Sequence, residues 1–435
     1  MNTSTTRPRS IVVFWLPLAA TWLMMGLELP YIGAIVARMP EPEVNLAAFG
    51  VATALAWLVE SPIMMLLSAA TALVHDRGSY LALRRFAFLL NVLVTAGMLL
   101  LIVPPVFHFV AVGLIGLPHD IAKEAHAAST VLVLWPGSIG YRRFYQGILV
   151  RAQQPKRVAY GTVIRLVSMS VTAALLALTT RLPGALLGAL ALAVGVLCEA
   201  VASRIMAGPA LEALPRQQSA APALTLRGIA RFYYPLALTS MLTMALMPLV
   251  TFGLGHGAAP IESLAVWPIV SAMVFIFRSG GVAYQEVGIA LISADPQHER
   301  EVRRTGLLLG ILTSVVLTLV AFTGLQRVWF EEISGLEPQL AAFAVWPVRL
   351  LVALPALEFL LSIQRARWIV AQRTRLITIA TVIEGVTLAV VLALAIAVLN
   401  VAGVIAGAAG MLVARVAANV YLDACERRTR VSSVD

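Results

Sequence analysis

Leu134-Trp135-Pro136-Gly137-Ser138-Ile139-Gly140-Tyr141-Arg142-Arg143-Phe144-Tyr145-Gln146-Gly147 lies in an otherwise apolar run long enough to cross a bilayer, and two adjacent arginines sit inside it. On insertion scales an arginine at the bilayer centre costs about 2.5–3.5 kcal/mol, a large share of the roughly 5–15 kcal/mol that keeps a protein folded. The pair is therefore expected to face water, a counter-ion or an anionic ligand, and not lipid. A second proline-bounded stretch of the same kind surrounds Pro355.

Working outward, the 435 residues are 60% hydrophobic and 12% charged, with a mean hydropathy of +0.88. Those values lie far outside the soluble globular range and indicate an all-α polytopic membrane protein. Allowing about 20 residues per crossing, twelve spans are expected at 11–37, 45–74, 85–110, 125–150, 158–180, 184–206, 228–254, 261–292, 304–327, 339–366, 375–399 and 402–424. The first run continues to Val36 through Pro17, Glu28 and Pro30, which suits a retained span better than a cleaved signal. Cys198 and Cys425 lie far apart in or beside spans, so structural thiols are expected and no disulfide or metal motif.

The net charge of +10 has the distribution of a membrane protein and not of a nucleic-acid binder. Arg77, Arg84, Arg85, Arg151, Arg204, Arg303 and Arg367 exemplify one set of alternating ends, to which the basic termini also belong. The other set holds only Arg38, Lys123, Arg181 and Arg327. By the positive-inside rule both termini are expected in the cytoplasm, with a bacterial-type inner membrane as the location. HExxH, GxxxxGK[ST] and GxSxG are all absent, so neither an enzyme nor a cofactor is expected.

The two halves repeat. Phe14, Pro17, Leu18, Ala19 and Pro30 recur 218 residues later as Phe232, Pro235, Leu236, Ala237 and Pro248; Pro136, Ala152-Gln153 and Thr162-Val163-Ile164 recur 219 later as Pro355, Ala371-Gln372 and Thr381-Val382-Ile383. The expected organisation is a six-helix lobe over 1–206, a polar linker over 207–227 and a second six-helix lobe over 228–435. An even number of spans per half gives the lobes one orientation, pseudo-symmetric about a central cavity. Pro17, Pro30, Pro62, Pro136, Pro235, Pro248, Pro268, Pro347 and Pro355 are candidate bends, and in a transporter candidate hinges.

Six arginines remain inside apolar runs: Arg142, Arg143, Arg165, Arg278, Arg349 and Arg415. Arg142 and Gln146 share a helix face. With Arg143, Arg278 and Arg349 they are the candidate substrate-binding groups of a basic cavity that would take carboxylate or phosphate through forked guanidinium contacts. The bland alternative is internal neutralisation by Glu28, Glu60, Glu199, Glu286, Glu358 and Glu384. For Glu199 and Glu286 a snorkelling or paired side chain is the expected state. The repeat pairs Glu60 with Arg278 and Arg165 with Glu384, opposite in sign, which makes both pairs candidate gates. Glu28 beside Pro30 is the first candidate for coupling to a proton or sodium ion and Glu60 the second; Glu358, in a stripe with Ser362 and Arg365, completes the candidate coupling or gating set.

Phe14-Trp15-Leu16-Pro17-Leu18, Ala48-Phe49-Gly50-Val51-Ala52 leading to Ser61-Pro62, Pro136 with Gly147-Ile148-Leu149, Phe232-Tyr233-Tyr234-Pro235-Leu236-Ala237-Leu238 and Pro347-Val348-Arg349 touch most of the chain. In order and spacing they resemble the multidrug, oligosaccharidyl-lipid and polysaccharide (MOP) exporter superfamily, and within it the progressive ankylosis family. That resemblance implies alternating-access efflux of an anion of the citrate, pyrophosphate or nucleotide class, with membrane lipids as the surroundings. The chain departs from the animal members in its basic Arg142-Arg143 pair and in lacking a long polar tail. Two other readings stay open: a proton- or sodium-coupled exporter of organic cations, for which Glu28 and Glu60 matter most, and a lipid-linked diphosphate flippase, against which two missing spans count. A passive scaffold leaves the embedded arginines unexplained.

Overall fold

The computed structural model describes residues 8–215 and 224–431. Arg7 and residues 216–223 of the expected linker, with Arg216, Gln217, Gln218, Ser219 and Pro222, lie outside the described residues. The described chain is helical, with one isolated bridge between Ala258 and Ala402.

Six helices form the first half. These are α1 (Pro8–Val36), α2 (Pro42–Glu60, continued after a 3-10 turn by Leu66–Leu73), α3 (Arg77–Leu101), α4 (two limbs, His119–Val131 and Trp135–Arg151), α5 (Pro155–Thr179) and α6 (Gly184–Met206). The second half holds α7 (Leu226–His256), α8 (Pro260–Ala294), α9 (Glu299–Phe322), α10 (two limbs, Pro338–Leu350 and Leu354–Val370), α11 (Arg375–Ala397) and α12 (Gly403–Val431). Among the described residues eleven helical stretches are long and apolar enough to cross a membrane. The twelfth, α4, has the bipartite form of α10 but carries Arg142, Arg143 and Arg151 in its second limb. Large side chains such as Phe88, Leu178 and Ile205 are exposed on the outer faces of α3, α5 and α6, as a multi-pass membrane protein requires.

The repeat reappears in the backbone. The 3-10 turn Leu132–Leu134 that breaks α4 ahead of Pro136 has its counterpart in Leu351–Ala353 ahead of Pro355. π-helical turns occur at Phe109–Leu114 and Val328–Ile333. Left-handed residues recur at Gly116 and Gly335, at Gln153 and Gln372, and at Glu41 and Ala259. One break is not repeated. Pro62 sits in the 3-10 turn Ser61–Ile63, where the second half has Gly280 in an unbroken α8.

Proline acts unevenly, by position. Pro62, Pro136 and Pro355 lie at the first turn of a helical piece, where the missing N–H would be unpaired anyway. Pro268 and Pro347 lie inside helices.

Two compact units result, Leu27–Ser240 and Met1–Gly26 with Met241–Asp435. The N-terminal part of α1 therefore packs with second-half helices. Trp15 donates its indole N–H to Gly280 O at 2.8 Å, and its ring lies 6.0 Å from that of Phe359. Within Leu27–Ser240, glycines let α4 approach its neighbours. A Cβ on Gly147 would run into the Leu67 carbonyl of α2, and one on Gly140 into the Asn91 amide of α3.

Candidate functional site

In Leu27–Ser240 five buried charged residues, Glu28, Glu60, Arg142, Arg165 and Glu199, are linked in one network. Arg142 and Gln146, one turn apart on α4, both reach Glu199 of α6: Arg142 Nη1 lies 2.5 Å from Oε2 and Gln146 Nε2 donates to Oε1 at 3.0 Å. From α5, Thr162 donates to Oε1 at 3.2 Å, and Arg165 Nη1 stands 3.6 Å from Oε2. Arg165 also makes a forked contact to Glu28 of α1, Nε to Oε1 at 2.6 Å and Nη2 to Oε2 at 2.5 Å. Its guanidinium lies 5.6 Å from the ring centroid of Trp135, whose indole N–H donates to Glu60 Oε2 at 2.5 Å.

Arg142 is 1% exposed and Glu199 0%. Glu199, expected to snorkel or to be paired, is paired, and it is the fully buried hub of the network. Arg142 meets a carboxylate rather than open water. The next residue points elsewhere, as helix geometry demands: Arg143 Nη2 lies 3.6 Å from the sulfur of Met64.

The second unit has a network in the corresponding place with signs rearranged. Arg278 of α8 lies 3.0 Å from Glu358 of α10. Arg415 of α12 bridges Glu358 at 3.2 Å and Glu384 of α11 at 3.0 Å. Arg365 donates to Thr381 Oγ1 at 3.3 Å. Asn419 braces the group by donating to Arg415 O at 2.8 Å.

Thus Glu60 and Arg278 occupy repeat-related positions and each finds its partner in its own unit, as do Arg165 and Glu384. Charge balance differs between the two networks. In the first, Arg142 and Arg165 reach Glu199 and Glu28, Trp135 reaches Glu60, and Arg143 lies against Met64. In the second, Arg278, Arg365 and Arg415 gather about two carboxylates, Glu358 and Glu384. Arg278 is also the more open arginine, its side chain 18% exposed against 8% for Arg415.

Arg349 stands apart from both networks. It donates to Ala321 O at 3.2 Å and packs over Phe322 and Trp346 at 4.8 and 5.3 Å, so it is satisfied locally at the end of α9. Sequence reasoning missed Arg415 as a bridge and Trp135 as the donor to Glu60. No local spacing announces Arg415, because its partners lie on two other helices. Glu199 was legible in part: Arg142 and Gln146 on one face call for an acid opposite.

Among the described residues no group of three or more His, Cys, Asp or Glu is arranged to hold a metal ion. What the networks can do is trade partners. Each carboxylate has more than one cationic or polar neighbour, and protonation or ligand binding at one pair redistributes the others.

No family model matches the chain, and no curated protein is similar to it in sequence. Its fold is shared with solved transporters. A MOP superfamily transporter from Pyrococcus furiosus superposes with a TM-score of 0.76 at 14% identity, covering 98% of this chain and 96% of that one. A MATE transporter from Vibrio cholerae gives 0.77 at 14%, covering 97% of each. An outward-facing multidrug resistance MATE family transporter of the same superfamily gives 0.77 at 15%, covering 98% and 97%. At that identity the likeness establishes the fold: an all-helical, two-lobed membrane architecture.

Proposed function

We propose that this chain is an alternating-access membrane transporter that exports a small organic or phosphate-bearing anion, of the citrate, pyrophosphate or nucleotide class resembled by the progressive ankylosis family. The observation that carries the reading is the network of the second unit, in which Arg278, Arg365 and Arg415 gather about Glu358 and Glu384 and Arg278 is more open than Arg415. An incoming carboxylate or phosphate supplies the missing negative charge through a forked contact. The Pyrococcus furiosus transporter of the same fold is described as having a binding pocket of reverse polarity suggesting a different function. In this reading Arg278 leads substrate recognition, the forked Glu28–Arg165 pair is the coupling element for a proton or sodium ion, and the linker 207–227 joins lobes that open alternately at the inner membrane.

A second reading, a coupled exporter of organic cations, draws on the multidrug MATE transporters that share the fold and rests on Glu28 and Glu60. Both carboxylates are already engaged, by Arg165 and Trp135. Counterflow of radiolabelled citrate, pyrophosphate and ethidium in proteoliposomes, with and without a pH gradient, separates the readings. Anion counterflow is the expected result. Uptake of ethidium alone transfers the function to the second reading.

A further inference from the structure

A groove of about 650 Å³ runs along the outer face of Leu27–Ser240 between α3, α4 and α6. Its walls are apolar, with Val92 and Leu99 from α3, Leu134 from α4, and Leu197 and Val201 from α6. These side chains are exposed, from 39% at Leu197 to 58% at Leu134 and Val201. They lie on spans, so they face hydrocarbon. The lining contains one charged residue, Arg204, and no acid.

Arg204 occupies the last turn of α6, at the arginine-rich ends of the spans. Its guanidinium lies 5.2 Å from the ring of Tyr145, which holds it beside the mouth of the groove. Arg142 and Arg165 are satisfied by acids a short distance inward, whereas the charge of Arg204 is directed at no carboxylate among the described residues. The volume is that of a ligand site, within the range of about 300–1,000 Å³ typical of pockets that enclose an organic molecule.

We propose that this groove binds one anionic glycerophospholipid from the leaflet on the arginine-rich side, its acyl chain lying along Val92, Leu99, Leu134 and Val201 and its phosphate on Arg204. Charge complementarity selects the occupant. A zwitterionic lipid presents the same phosphate but offsets it with its own cation, whereas a net anionic headgroup near a membrane-surface arginine gains about 1 kcal/mol more, close to fivefold in affinity.

Native mass spectrometry of the full chain, released from nanodiscs containing equal amounts of phosphatidylglycerol and phosphatidylcholine, tests this. The wild-type protein is expected to retain one phosphatidylglycerol in several-fold preference to phosphatidylcholine. Arg204→Gln is expected to reduce that preference about fivefold. Ala96→Trp and Val201→Trp, two substitutions at exposed groove positions, are expected to expel the lipid whichever headgroup it bears. Monodisperse elution of each variant establishes that it has folded. Equal retention of both lipids by the wild type overturns the proposal, as does lipid retention unchanged in both tryptophan variants. A dimer that disappears in those variants also overturns it, by assigning the groove to a second copy of the chain.

Discussion

Glu199 has no exposed surface, yet four side chains from α4 and α5 converge on it: Arg142, Gln146, Thr162 and Arg165. Desolvating such groups is costly, and the cost is recovered only while every partner is present. Glu199→Ala leaves Arg142 buried without an acid and weakens Arg165. We expect a loss of about 3–5 kcal/mol, visible as a lowered thermal-unfolding midpoint in detergent. The double variant Arg142→Met with Glu199→Leu, which removes both charges and keeps the volume, is expected to restore most of it. A second residue-scale expectation lies outside the spans. Burial first, and then the charge of Arg151, push the His75 imidazole below its ordinary range; Arg151 also contacts its Nδ1. The folded state therefore favours neutral His75. Its contribution is fully present above the unfolded pKa of about 6.5 and declines as pH falls toward the depressed folded value. His75→Gln is expected to flatten this part of the stability profile between pH 7 and 5, and an unchanged profile in the variant would assign the acid limb to other groups.

Helices meet here where side chains are absent. Gly147 of α4 is buried against the Leu67 carbonyl and Ala70 of α2, and its own carbonyl accepts from Thr71 Oγ1 at 3.2 Å. A side chain at this point must push α2 and α4 apart. Gly147→Val is expected to cost about 1–3 kcal/mol by overpacking, whereas Gly50→Ala, into open space, is expected to be neutral or to raise the unfolding midpoint through its helix propensity. Comparing the two midpoints checks the assignment. The sequence made eleven of these helical elements legible because apolar runs of spanning length are unambiguous. It did not reveal that α4 and α10 break into two limbs. Pro136 and Pro355 were read as possible bends, but a first-turn proline tells only where a helix begins; the 3-10 turns ahead of them depend on how the preceding limb packs. In the same way Pro17 and Pro30, read as possible bends, lie within a continuous α1.

At the scale of the whole molecule, the repeat was readable from recurring prolines and short apolar words, because each half must solve the same packing problem. The charges resisted the same reading. Glu60 and Arg278, or Arg165 and Glu384, invite a cross-pairing by their repeat positions, but each takes a neighbour from its own six-helix set, since partners on three different helices leave no spacing in one dimension. The two networks therefore look alike in sequence and differ in balance. That difference makes the proposed function testable independently of the fold. Arg278→Gln leaves Arg365 and Arg415 with Glu358 and Glu384, a matched set, so its unfolding midpoint should stay near that of the wild type. Arg415→Gln removes the bridge between Glu358 and Glu384 and should destabilise by about 3–5 kcal/mol. If the surplus guanidinium recruits an anion, Arg278→Gln should reduce citrate or pyrophosphate counterflow at least tenfold while the protein remains folded. Retained anion counterflow in folded Arg278→Gln would mean that the imbalance serves packing alone, and the substrate contacts would have to be sought on other residues.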